Sequence, residues 1–153
     1  MPRPPLSLRA RALGYLARRE YARAELAAKL RRYAAPEDDV DALLEDFVRR
    51  GWLSEPRLVE QVVNGRKRFG AARLLHDLRR RGVDEALLSE ASAPLRDSEL
   101  TTAREVWAKR FGELPVDAQS RMKQVRFLRS RGFSGATIQR VLRIRADVDE
   151  MSD

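Results

Sequence analysis

The 153-residue chain contains no cysteine and only one histidine, His76. The first shortage excludes disulfides, thiolate metal sites and thiol nucleophiles, and it suits a reducing compartment, so the cytoplasm is the expected location. The second leaves a zinc site without a second imidazole, and no Ser-His-acid set can be built beyond His76. No apolar run approaches the roughly 20 residues of a membrane span. The opening Met1-Pro2-Arg3-Pro4-Pro5 leads into no apolar core segment and does not read as a secretory signal. No glycine-rich loop ending in Lys-Ser/Thr is present to cradle a phosphate. β-Branched residues are sparse and nothing alternates with period two over a useful length, so no sheet is expected. With no catalytic set to assemble, the chain is expected to be no enzyme, to need no cofactor or metal, and to act by binding.

Positive charge is what the chain has in excess. Thirty-one Lys and Arg stand against 23 Asp and Glu, a formal charge of +8, which favours a polyanionic partner. The charge is patterned. Arg121 to Arg145 holds eight cations and no carboxylate; Arg66 to Arg81 holds seven cations against Asp77 alone; Glu37 to Asp46 holds six acids and no cation. A single charge run is most often a solvated face, but two basic runs at corresponding places suggest a stripe able to follow a polyphosphate or an acidic groove.

Apolar residues recur at spacings of three and four, the mark of helices with one buried stripe. Leu13, Leu16 and Ala17 form one such set, Leu26, Leu30 and Tyr33 another, and Val40, Leu43, Leu44 and Phe47 a third. Leu74 with Leu78, Val106 with Trp107, Val125 with Leu128, and Ile138, Val141 and Leu142 continue the pattern. At this spacing Tyr15, Tyr21, Trp52, Phe69 and Trp107 read as core residues rather than base-stacking platforms.

Three glycines, Gly51, Gly82 and Gly132, each follow an Arg-rich turn and precede an apolar residue and then Ser54, Asp84 or Ser134. Glycine ends one helix in the left-handed conformation, cations suit the negative end of its dipole, and Ser or Asp caps the next. Leu53 with Leu58, Val83 with Leu88 and Phe133 with Ile138 are placed to staple each new helix. Pro36 is expected to open a helix with acids in its first turn, and Leu114-Pro115 to separate two others. Asn64-Gly65 reads as a turn or a weak spot.

The pattern repeats. A shift of 48 brings Tyr21, Ala24, Leu26, Leu30 and Arg31-Arg32 onto Phe69, Ala72, Leu74, Leu78 and Arg79-Arg80, and a shift of 50 brings Leu78, Arg79, Arg81 and Gly82 onto Leu128, Arg129, Arg131 and Gly132. Units of this length hold three short helices each, too small to bury a core alone, so neighbours must stack. The expected fold is all-α, an elongated, curved array of three tandem three-helix repeats at 8–54, 55–96 and 97–145, with a flexible tail at 1–7 and an acidic tail at 146–153.

Four segments, in this order, resemble the RecX family, regulators of the bacterial RecA recombinase. They are Tyr15-Leu16-Ala17-Arg18-Arg19-Glu20-Tyr21-Ala22-Arg23-Ala24-Glu25-Leu26 ending in Lys29-Leu30; Arg50-Gly51-Trp52-Leu53-Ser54-Glu55; Phe69-Gly70 with Leu74, Leu78 and Gly82-Val83; and Phe127-Leu128-Arg129-Ser130-Arg131-Gly132-Phe133-Ser134 with Ile138. The chain departs from the family after Leu53, where Ser54-Glu55-Pro56-Arg57-Leu58 replaces acids followed by an aromatic helix start. The resemblance implies tandem three-helix repeats, a non-enzymatic role as modulator and usually inhibitor of RecA, and binding in the groove of the RecA–DNA filament. Single- or double-stranded DNA would be a weak, salt-dependent partner and the chain a monomer. The family supplies no catalytic residues. Charge clustering alone selects Arg66, Lys67, Arg68, Arg79, Arg80, Arg81, Arg129 and Arg131 as contacts to RecA or DNA. The rival reading is a stand-alone DNA-binding or architectural protein built of helix-turn-helix-like units.

Overall fold

The computed structural model describes residues 4–151, with side chains as far as Arg143. The ends of both expected tails and the side chain of Arg145 lie outside the described residues. Within them the chain is helical throughout, with no strand. The helices are α1 (Leu8–Arg18), α2 (Arg23–Arg31), α3 (Val40–Arg49), α4 (Glu55–Gly65), α5 (Ala71–Arg80), α6 (Glu85–Arg110), α7 (Ala118–Ser130) and α8 (Gly135–Met151). No helix among the described residues is long and apolar enough to cross a membrane.

Three apolar clusters follow one another along the chain. The first gathers Ala12, Leu26, Leu30, Leu44, Phe47 and Leu53 from α1–α3. The second gathers Leu58, Leu74, Leu78, Val83, Leu88 and Leu95 from α4, α5 and the first half of α6. The third gathers Ala103, Trp107, Leu128, Phe133, Ile138 and Leu142 from the second half of α6, α7 and α8. Each unit therefore has three helical segments, but the described residues form eight helices rather than nine. The expected 96/97 boundary falls inside α6, which runs unbroken past Pro94. α8 likewise continues through Met151 rather than ending at 145.

The glycine joints are built as the local chemistry requires. Gly51, Gly82 and Gly132 have φ of 73°, 87° and 87°. In the last two joints the residue after glycine donates its N–H to the carbonyl five residues back, Val83 to Leu78 and Phe133 to Leu128, closing the helix end. In the first joint Trp52 does the same to Phe47. Ser54, Asp84 and Ser134 then accept N–H bonds from Arg57, Ala86 and Thr137. A cap of this kind contributes about 1 kcal/mol.

The structure also separates what the sequence pattern had grouped. Gly82 and Gly132 join the second and third helices of their units, whereas Gly51 joins one unit to the next. Its staple pair divides accordingly: Leu53 packs in the first cluster and Leu58 in the second. The shift of 48 sets Ala34 opposite Gly82; Tyr33 before it, beyond the end of α2, is exposed and stacked under the Arg11 guanidinium at 3.8 Å. In α1, Leu13 and Ala17 face solvent, and the buried stripe is Leu8, Ala12, Tyr15 and Leu16. Pro36 does not open a helix. The Asp38 carboxylate accepts the Ala35 N–H at 2.8 Å and forms a local turn that competes with helix, so α3 starts only at Val40, capped by Asp39.

Candidate functional site

The units are fastened by one device used twice. The N-terminus of α2 receives the Gly82 joint: a Cβ at Gly82 would meet the Ala24 side chain at 2.7 Å. The N-terminus of α5 receives the Gly132 joint in the same way, with Gly70 donating to the Arg131 carbonyl at 2.7 Å. A carboxylate completes each contact. Glu55 accepts the N–H of Arg23, the first residue of α2, and of Asp84, the cap of α6. Glu99 accepts the N–H of Ala71, the first residue of α5, and the hydroxyls of Ser134 and Thr137 at the cap of α8. Glu55 and Glu99 hold equivalent places, although their sequence separation matches neither repeat shift.

Of the eight residues selected by charge, three are committed inside the protein. Arg66 pairs with Asp77 at 2.5 Å and Arg79 with Glu85 at 2.7 Å. The hydrogen bond from Arg79 holds the Glu85 carboxyl below its ordinary value. Arg81 bonds Glu25 at 2.8 Å and the Glu20 carbonyl at 3.0 Å, fastening the second unit to the first. Burial opposes the charge on Glu25, but hydrogen bonds from Arg81, Ala22 and Arg19 outweigh it and keep the carboxyl low. Arg80 and Arg129 are exposed near helix ends.

The remaining three are brought together. Lys67 and Arg68, in the α4–α5 loop, and Arg131, at the end of α7, line one cleft of about 400 Å³ with Lys109 and Arg110, the last residues of α6. Val106 and Phe127 supply its apolar wall and Glu105 its one carboxylate. Phe127 meets Phe111 edge-on at 5.4 Å between centroids. Arg110 and Arg131 lie against the Phe127 ring at 5.4 and 5.1 Å, and Arg131 also against Phe69 at 5.4 Å. The rings hold the guanidiniums in place without neutralising them. Lys109 and Arg110 were not selected from the sequence. Their signal is the one used elsewhere, a basic last turn followed by an apolar residue and Gly112 at φ 71°.

Charge pairing is uneven along the array. Every ion pair among the described residues lies between Arg9 and Glu85. The third unit, 97–143, carries ten cations and five carboxylates, and none of them forms an ion pair among the described residues. Its surface can therefore attract an anion without first breaking an internal bond. Trp107, by contrast, is buried and donates its indole N–H to Gln124 at 2.8 Å. His76 stands exposed on α5.

The model of the first three-helix domain of RecX matches residues 9–47, and that of the third three-helix domain matches residues 97–142. The chain is 48% identical over 143 residues to the regulatory protein RecX of Ralstonia nicotianae, covering 93% of this chain and 90% of that one. It is 44% identical to the regulatory protein RecX of Herminiimonas arsenicoxydans, covering 98% of this chain and all of that one. Among solved structures, RecX from Lactobacillus salivarius superposes with a TM-score of 0.70 at 20% identity, covering 89% of this chain and 92% of that one, a likeness of fold.

Proposed function

The chain belongs to the RecX family, and on that premise we propose that it is a non-enzymatic cytoplasmic regulator of the RecA recombinase. It binds the RecA–DNA filament as a monomer and inhibits its ATPase, strand-exchange and co-protease activities. The observation that carries this reading is close identity to regulatory RecX proteins over nearly the whole of both chains.

The contact surface is the cationic side of the second and third units. Lys67, Arg68 and Arg131 form its centre with Lys109 and Arg110. Arg80 and Arg129 extend it. Arg66, Arg79 and Arg81 act chiefly within the protein, since their guanidiniums already have carboxylate partners. A regulator of this kind works by differential binding: it shifts the filament only as far as it prefers one filament state over another.

The test is a titration of the purified chain into RecA assembled on single-stranded DNA, reading ATP hydrolysis and LexA cleavage. A fall in both at stoichiometric amounts supports the proposal. Unchanged rates, with the protein folded, overturn it.

A further inference from the structure

The two joints between units are held by different forces. Between the second and third units a helix is shared: α6 carries Leu88 and Leu95 into the second apolar cluster and Ala103 and Trp107 into the third. A backbone bond crosses the same joint, from Gly70 to the Arg131 carbonyl. Arg73 donates to the Ser130 carbonyl at 2.9 Å, and the buried Glu99 gathers Ala71, Ser134 and Thr137. Among the described residues no ion pair takes part.

Between the first and second units no helix is shared. The segment from Arg50 to Ser54 connects α3 to α4. Among the described residues, Ala22 alone passes from the first unit into the second apolar cluster, and nothing from the second unit enters the first. No backbone–backbone bond runs from α1, α2 or α3 to the second unit among those residues. Gly82 only abuts Ala24. What remains is polar. Arg57 donates to the Glu20 carboxylate through two nitrogens, and to the Gly51 and Trp52 carbonyls at 3.0 and 3.3 Å. Arg81 holds Glu25 and the Glu20 carbonyl, and Glu55 accepts the Arg23 N–H at 3.1 Å.

Arg57 is exposed and Arg81 half-buried, so solvent ions reach both pairs. Pairs of this kind are individually weak, and salt near 1 M shortens the screening length to about 3 Å. Shared helix and buried apolar surface carry no such dependence. Gly51 supplies a pivot: it has a φ of 73° and a Cβ there would meet nothing within 4 Å, so the backbone can turn without collision. Arg57 ties the pivot to the latch, since the same guanidinium grips the Gly51 carbonyl and the Glu20 carboxylate.

We propose that Arg57–Glu20 and Arg81–Glu25 form a reversible ionic latch, and that on its release the first unit swings about Gly51 while the second and third move as one body. The swing changes the span between the first unit and the cationic side of the other two. That this serves to fit different filament states rests on the RecA reading; the latch itself needs no RecA.

The experiment is single-molecule energy transfer on the full chain, without RecA, from about 0.05 to about 1 M sodium chloride. The chain has no cysteine, so exposed positions accept dyes cleanly. Ala17→Cys with Ser89→Cys spans the first joint, and Ser89→Cys with Gln139→Cys spans the second. A low-transfer population is expected at the first joint only, rising about fivefold across the salt range. Glu20→Gln with Arg81→Gln is expected to populate it already at low salt and to flatten the salt response. Arg79→Gln, which breaks a pair inside the second unit, should leave both distances at the parent's values. Circular dichroism checks that each variant keeps its helices, and the salt series on the parent depends on no latch variant. Equal responses at the two joints, no response at the first, or a latch variant that is folded and still closed at low salt each overturn the proposal. Unchanged RecA activities with the energy-transfer pattern intact would sink the RecA reading and leave the latch standing.

Discussion

Gly70 donates its backbone N–H to the carbonyl oxygen of Arg131 at 2.7 Å, and at this contact two backbone segments from different units touch with no side chain between them. A Cβ at Gly70 would lie 2.3 Å from the Gly132 oxygen, and one at Gly132 would lie 2.4 Å from the Arg73 Cβ. The glycines are set here by tertiary approach, and at Gly132 by a φ of 87° as well.

Glycine substitutions therefore separate the two causes. Gly51→Ala meets no atom within 4 Å, so it should cost only the left-handed strain, about 1–2 kcal/mol. Gly132→Ala should cost that plus overpacking against Arg73, about 1–3 kcal/mol more. Gly14→Ala, in the middle of α1 with open space around it, should stabilise by about 0.5–1 kcal/mol. Urea unfolding of the three variants checks the order; equal losses at positions 51 and 132 would show that the Arg73 contact costs nothing.

Glu99 is 7% exposed and accepts from Ala71, Ser134 and Thr137. Glu99→Ala leaves those donors without their acceptor and should destabilise by about 1–3 kcal/mol. Glu99→Gln keeps one acceptor oxygen and should lose less. Amide exchange provides the local readout, with the first turns of α5 and α8 losing protection before the first unit does.

Among the three arginines at the end of α5 and its cap, only Arg81 bridges units. Arg81→Gln breaks its bonds to Glu25 and Glu20 and should lower stability by about 1–2 kcal/mol. Arg80→Gln, at an exposed site without a carboxylate partner, should stay within about 0.5 kcal/mol of the parent. Chemical denaturation distinguishes them; equal effects would show that Arg81 adds nothing to the joint.

The Glu25 carboxyl titrates below its ordinary value of 4.5 because Arg81, Ala22 and Arg19 bond its ionised form despite the opposing effect of burial. Its contribution to stability is complete above pH 4.5, declines as the pH falls past that value, and is gone below the depressed folded-state value. Thermal unfolding between pH 6 and pH 3 should therefore show an acid loss that is smaller in Glu25→Gln. An identical acid profile in the variant would remove Glu25 as its source.

The sequence by itself determined the helices and the three glycine–cap joints. Each of these is fixed within a few residues: a left-handed glycine, a Ser or Asp on free N–H groups, an apolar stripe at helical spacing. The start of α3 escaped that logic because Asp38 bonds the backbone of Ala35, a local alternative that Pro36 and its acids do not reveal. Only the tertiary structure decided which cations are free. Arg81 finds Glu25 across 56 residues, and Arg66 finds Asp77 across 11. Lys67 and Arg68 meet Lys109 and Arg110 only because α6 runs unbroken across two units and returns its C-terminal end to the α4–α5 loop. Charge is a property of a residue and can be read from the sequence. Whether that charge is already neutralised depends on a distance between remote residues, and packing alone sets that distance.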